Sequence, residues 1–178
     1  MWKLDCPEPV WTYKKGNTVD FNCLTSYKAE KSEGPNDKNE PFIYVTGNDK
    51  SIRELKGSQK NTTVKDGLPE GILRKQFEQS SNVSQICMMH GRKAFFVCIE
   101  EKDRPGSIQV IRGDLTEKVF EIQAHSLRVE RMRLSYDNQT LYSASDDGSI
   151  CVFAVCDKDP KKKLLDMPST QLSHEILI

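Results

Sequence analysis

A Ser-Ile pair recurs three times in this chain, at Ser51-Ile52, Ser107-Ile108 and Ser149-Ile150. Each pair opens an alternating apolar–polar segment and follows another such segment across a polar turn. The clearest copy is residues 124–155, AHSLRVERMRLSYDNQTLYSASDDGSICVFAV. It begins with an Ala-His pair, then runs through a segment Val129–Leu134 and a polar turn Ser135–Gln139. A second segment, Thr140–Ser145, meets the tight turn Asp146-Asp147-Gly148, and a third, Ser149–Val155, closes the unit. Short period-two segments joined by tight turns predict an antiparallel sheet. One such sheet is too small to bury its apolar faces alone, so the units must stack.

The same unit is present upstream in more worn form. Phe21–Leu24 and Val83–Ile86 match Val129–Met132, each with apolar residues at the first and fourth places. Phe42–Leu55 gives strand, Asn-Asp turn and strand, and Ala94–Val97 pairs in the same way with Ser107–Ile111. The isoleucines of the recurrent pair lie 56 and 42 residues apart. The second spacing falls in the ~40–45-residue period of WD repeats. The first is stretched by the polar connection 56–70. A further segment precedes each unit, at Val10–Tyr13, Ile72–Phe77 and Val119–Ile122, and reads as the outer strand of the preceding sheet. Met1–Asp5 reads as a strand end from a still earlier unit, and the charged stretch Ala29–Glu40 as an inserted loop.

An upstream His, an Asp-Gly turn and an aromatic near the end of the third strand resemble a WD40 blade. The expected architecture is all-β: a WD40-type β-propeller fragment of about three blades plus a leading strand, spanning residues 1–156. Residues 157–178 are expected to form a charged linker, with Pro160, leading to the start of a helix near Pro168-Ser169-Thr170 and toward a coiled coil. Propellers close with roughly four to eight blades. Three are therefore expected to be completed by remaining blades of a longer chain, and in isolation to associate through open sheet faces.

Composition excludes several classes of function. Charged residues are 29% of the 178 and balance to a formal net charge of +0, so no global field points to nucleic acid or to a basic partner. No apolar run is long enough for a transmembrane helix, and the first residues do not read as a secretory leader. The cysteines form no Cys-x-x-Cys pair and mostly lie in apolar strand-like contexts, which fits a reducing compartment. The sequons at Asn61, Asn82 and Asn138 are read as chance.

One constellation resembles chemistry. His125, Ser145 and Asp147 supply the residue types of a Ser-His-Asp triad. In WD40-like blades the same types form a structural hydrogen-bond relay, normally completed by a Trp on the third strand. Phe153 stands in that place here and has no indole N–H. The structural reading is the expectation, with either Ser143 or Ser145 as the hydroxyl. His90 and His174 are isolated, and neither they nor the cysteines have zinc spacing. The adjacent acids Glu100-Glu101 and Asp146-Asp147 read as solvated turn residues. No glycine-rich phosphate loop occurs. Neither a catalytic residue nor a cofactor nor a metal is therefore expected. Lys161-Lys162-Lys163 is the one basic run, read as a solvated linker or as an electrostatic contact with an acidic surface such as tubulin tails.

Three stretches resemble the last propeller blades of the cilia- and flagella-associated protein fifty-seven family. They are Phe21–Thr25, Val45–Leu55, and Ile122–His125 continuing through Tyr136–Leu141 and Ser145–Gly148 to Asp157-Lys158-Asp159. The resemblance implies a non-catalytic scaffold of the ciliary axoneme within the cytoplasmic cytoskeleton. Its implied partners are doublet-microtubule-associated proteins, inner dynein arms and regulatory complexes, with neither membrane nor nucleic acid. It also implies a coiled coil beginning near Leu172–Ile178. A WD40 scaffold of another cytoplasmic complex is the alternative.

Overall fold

The computed structural model describes residues 11–15, 18–27, 41–57, 71–89, 91, 94–156 and 175–177. Its elements are all strands: β1 Phe21–Tyr27, β2 Phe42–Gly47, β3 Ser51–Lys56, β4 Ile72–Glu78, β5 Val83–Met88, β6 Ala94–Ile99, β7 Ser107–Arg112, β8 Lys118–Gln123, β9 Val129–Leu134, β10 Thr140–Ser145, β11 Ile150–Cys156 and β12 Glu175–Leu177. They form three four-stranded sheets in sequence order, β1–β4, β5–β8 and β9–β12. The first strands of successive sheets, β1, β5 and β9, lie against one another. The sheets are therefore three blades radiating from a common inner edge.

Alternation along each strand sends one set of side chains to the blade before and the other to the blade after. Phe42, Tyr44 and Ile52 of the first blade pack with Ile86, Phe95, Val97 and Ile111 of the second. Phe96, Cys98, Ile108 and Val110 of the second pack with Met132, Leu141, Phe153 and Val155 of the third. The middle strand β6, AFFVCI, is buried along its whole length. A strand covered on both faces has no polar alternation, and this one has none. The two end blades differ. On the first, Leu24, Val45 and Arg53 stand opposite one another across β1, β2 and β3, facing away from the second blade. On the third, Tyr142 pairs with Val152 across the face away from the second blade, and Ile150 beside them is 74% exposed. The third blade thus has the exposed apolar face expected of an open array, whereas on the first only Leu24 of the three is exposed, Val45 and Arg53 being buried.

Two features at the ends depart from the sequence reading. Of the expected leading strand, Val10 lies outside the described residues, and Thr12 makes only an isolated bridge, its carbonyl accepting from Gly71 N at 2.7 Å. Trp11 lies so close to Gly71 that a Cβ there would sit 2.6 Å from its ring. At the other end, the helix start near Pro168 and the run Lys161–Lys163 lie outside the described residues. Glu175–Leu177, read as the beginning of a helical segment, is instead a strand, paired parallel to β11 through Ala154, Val155 and Cys156. The outer edge of β11 offers unpaired backbone groups, and a short apolar tail satisfies them as an added strand.

The turn before each third strand has a left-handed residue at the same place: Lys50 at φ 60°, Gly106 at 82° and Gly148 at 80°. Glycine adopts this conformation without Cβ strain, and lysine does not. Gly106 has a second constraint, because a Cβ would lie 2.4 Å from the carbonyl oxygens of both His125 and Leu127. Lys50→Gly is thus predicted to stabilise the fold by about 0.5–1 kcal/mol, and Gly106→Ala to destabilise it by about 2 kcal/mol or more. Urea unfolding midpoints check this; superimposable curves for the three proteins would contradict it.

Candidate functional site

The polar cluster of the third blade begins in the connection from β8 to β9. The Ala124 and His125 amides both reach the Gly106 carbonyl, at 3.2 Å each, which pins this connection onto the second blade's turn. His125 is thereby placed between the second and third blades and is only 5% exposed. Its Nε2 lies 2.7 Å from Ser143 Oγ on β10, and its Nδ1 lies 2.8 Å from Ser149 Oγ just before β11. The Ser149 hydroxyl donates to Asp147 Oδ1 at 2.5 Å, and the Ser149 amide donates to the same oxygen at 2.9 Å. The other carboxylate oxygen accepts from the amide and hydroxyl of Ser126, at 2.9 and 3.2 Å.

With the imidazole neutral, these contacts set one consistent direction for the protons. An ionised carboxylate only accepts, so the Ser149 hydroxyl proton points at Asp147. Ser149 Oγ therefore accepts from His125 Nδ1–H. In the neutral ring Nε2 is then the acceptor, and Ser143 donates to it. The result is a polarised chain, Ser143 to His125 to Ser149 to Asp147. The Ser149 hydroxyl, followed by the amides of Ser126 and Ser149, holds the Asp147 carboxyl well below the usual carboxylate range.

The chain passes through Ser143 rather than Ser145. Ser145 Oγ donates to Leu127 O at 3.1 Å and accepts from Asp147 N at 3.2 Å, so it shapes the turn without touching the imidazole. The cause is a register irregularity in the β9–β10 pairing between Ala144 and Ser145. Phe153 contributes apolar packing between the second and third blades. Cys151 Sγ lies 3.8 Å from His125 Nδ1, at the edge of the cluster. Sequence reasoning passed over Ser149 as a participant, although its recurrence two places after the turn acid, at Ser51 and Ser149, was the available signal.

This cluster lacks the geometry of a nucleophile–base–acid set. The hydroxyl on Nε2 belongs to Ser143, which is 2% exposed and closed to a substrate. Asp147 orients the imidazole only through Ser149, its own approach to Nδ1 being 3.5 Å. Among the described residues, no group of three or more His, Cys, Asp or Glu side chains could hold a metal ion. No helix of the described residues is long and apolar enough to cross a membrane.

The first blade reaches the same end by other means. Ser51 Oγ donates to Asp49 Oδ1 at 2.9 Å, as Ser149 does to Asp147. In place of a histidine, the Arg53 guanidinium of the neighbouring strand pairs with Asp49 and holds its carboxyl below the ordinary value. In the second blade Pro105 stands at the position of the turn acid, so the buried Ser107 hydroxyl has no turn carboxylate to donate to and faces Glu121 of β8 instead.

Solved structures share the three-blade fold. The WD40 repeats of RRP9 superpose with a TM-score of 0.51 at 21% identity, covering 79% of this chain and 37% of that one. These are WD40-type propeller blades. A chain of the Chaetomium thermophilum Polycomb Repressive Complex 2 bound to GSK126 gives a TM-score of 0.59 at 17% identity, covering 84% of this chain and 32% of that one. The WD40 blades also have curated relatives in Tetrahymena thermophila. Cilia- and flagella-associated protein 57 A is 33% identical over 98 residues, 55% of this chain. Cilia- and flagella-associated protein 57 C is 28% identical over 189 aligned residues, 99% of this chain. The resemblance read from the WD40 units is to the same proteins. This chain spans 7% and 13% of their respective lengths. No family model matches the chain.

Two predictions test the WD40 relay. His125→Ala and Ser143→Ala should each cost about 1–3 kcal/mol of unfolding free energy, because each leaves a buried polar partner unmet. Ser145→Ala should cost less, and an equal loss at Ser143 and Ser145 in chemical denaturation would contradict the assignment. The second concerns pH. A carboxyl whose folded pKa is depressed contributes stability that is complete above its unfolded value and lost as the pH falls through its folded one. The stability gap between the unsubstituted protein and Asp147→Asn should therefore narrow below about pH 4. A gap that stays constant from neutral to strongly acidic pH would rule out an ionised Asp147 as the anchor.

Proposed function

We propose that this chain is a non-catalytic interaction module of a ciliary scaffold. It forms part of a propeller that holds inner dynein arms or regulatory complexes on doublet microtubules of the axoneme. The observation that carries the reading is the 33% identity over 98 residues to a protein named for cilia and flagella. Two physical features support it. The polar cluster is consumed internally, its hydroxyls, imidazole and carboxylate bonded to one another. The two outward blade faces, by contrast, present apolar side chains: Leu24 on one, Ile150 and Val152 on the other. Surfaces of that kind are covered by protein, here further blades or axonemal partners. In this reading Lys161–Lys163 lies in a linker beyond β11 and contacts an acidic surface, and the chain takes no cofactor, membrane or nucleic acid.

Localisation decides the matter. The natural protein, tagged at its own locus, should remain with axonemes after detergent removes the ciliary membrane and matrix. Its loss should deplete a subset of inner dynein arms. Recovery only in the soluble cell extract, bound to a complex with no ciliary member, would replace this reading with the second one, a WD40 scaffold of another cytoplasmic assembly.

A further inference from the structure

The first and second blades radiate from a common inner edge, so their outer strands β4 and β8 bound a groove at the rim. Cross-strand partners share a face. Ile72 and Lys75 of β4 stand opposite Lys56 and Glu54, on the side of β3 that carries Ile52 toward the second blade. Ile72 is nonetheless 53% exposed, and Lys75 is exposed with it. The second blade is already in place against this face, so completing the ring leaves the groove open. Arg74 reaches the same side for a local reason. The β3–β4 pairing shifts between Glu54 and Leu55, where Lys75 and Leu73 take successive partners and Arg74 is the extra residue. A bulge of this kind re-aims a side chain. The Arg74 guanidinium lies 5.6 Å from the ring centre of Phe42, a residue of the core between the two blades. Two consecutive cations, which regular alternation would send to opposite faces, therefore share one side beside an exposed isoleucine.

Among the described residues neither Arg74 nor Lys75 forms an ion pair. Lys56 Nζ lies 5.5 Å from the same Phe42 ring and adds a third positive charge. Glu54, opposite Lys75, is 2% exposed and accepts from the Tyr44 hydroxyl at 2.9 Å. On the other wall, Lys118 and Glu121 stand opposite Ile111 and Gln109, on the face of β7 turned to the first blade. There the carboxylate is neutralised, by Lys118 at 2.7 Å and Arg104 at 3.6 Å. The groove thus carries cations without an acid on one wall and a neutralised carboxylate on the other.

We infer that this rim groove docks an acidic segment of a protein partner, with an apolar residue among its carboxylates. The carboxylates pair with Arg74 and Lys75 in charge-assisted hydrogen bonds, and the apolar residue covers Ile72. Protein is favoured over nucleic acid by the exposed aliphatic side chain and by the formal net charge of +0. Phe42, the ring beneath the cations, is 6% exposed and closed to base stacking. Charge on an outer strand also guards it against edge pairing, a role that needs no acidic partner. The inference goes beyond the scaffold reading and stands without it.

The test uses the whole chain and a fluorescein-labelled peptide carrying Glu-Glu-Leu-Glu-Glu between Gly and Ser flanks, followed by anisotropy. R74Q/K75Q should weaken binding about tenfold or more, and Gln in place of every Glu of the peptide at least as much. R131Q/R133Q, which removes two exposed cations of β9, should leave binding unchanged. R74E/K75E should reverse the preference, taking a Lys-Lys-Leu-Lys-Lys peptide in place of the acidic one. Arg74 and Lys75 are exposed, so unchanged circular dichroism melts are expected. Should the double variants fold poorly, Ile72→Ser replaces them and should weaken binding at least about threefold. No binding by the unsubstituted chain, an equal loss in R131Q/R133Q, or no loss in the β4 variant that folds overturns the proposal and leaves edge guarding as the role of the two cations. A labelled oligouridylate that binds more tightly than the acidic peptide through Arg74 and Lys75 overturns it too.

Discussion

Every sheet in this chain carries apolar side chains on both faces, and a four-stranded sheet has nothing of its own to cover them with. Burial of apolar area is the dominant favourable term in folding, so each blade is stable only against its neighbours. Phe95 and Phe96 are consecutive residues of β6 and both wholly buried. They point to opposite faces, into the packing with the first and third blades respectively. That one strand joins two cores, and the radial arrangement follows from it. Blades stacked at their inner edges put both faces of the middle one out of water and leave the far face of the third blade uncovered, with Ile150 and Val152 exposed.

Polar contacts are laid over this stacking at the end of the blades where the connections cross. The close approach at Gly106 brings the His125 connection onto the second blade, and the His125–Asp147 cluster then ties that connection to the turn of the third. The cluster therefore spans a blade boundary. It fixes how the third blade sits on the second, which dispersion and burial alone leave soft. The first blade keeps the acid and the serine but takes its cation from Arg53 on β3. The acid's partner lies on a strand rather than on a connection, so among the described residues this cluster ties no preceding blade. What remains there is a buried guanidinium whose Nε and Nη1 have no hydrogen-bond partner among the described residues.

Much of this was legible in the sequence because a period of two is a local property. The strands Val129–Leu134 and Thr140–Ser145 were readable to the residue from alternation and turn chemistry. The participation of His125 and Asp147 followed from their places in the repeat. The choice between Ser143 and Ser145 did not, since strict alternation puts both on the same face. Only the register irregularity after Ala144 separates them, and pairing irregularities depend on the partner strand. The short strand β12 was hidden for a similar reason. Glu175–Leu177 follows a long polar stretch, and its own three residues carry no strand signal that outweighs a helical one. Its conformation comes from the free edge of β11, a non-local cause.

The uneven survival of the relay has a physical explanation in the same constraint. The second blade has Pro105 in place of the turn acid, and its Ser107 hydroxyl has no turn carboxylate to donate to. It is also the blade covered on both sides, with β6 buried from end to end and most of β7 buried with it. Apolar contact on two faces over-determines its position, so one missing hydrogen-bond network costs it little specificity. The third blade is covered by the second on one face only, and it is the blade that keeps the His–Ser–Asp chain. Where packing constrains a sheet from one side, directional hydrogen bonds fix its orientation. Where packing constrains it from both, they become dispensable, and drift in the signature residues leaves the fold standing.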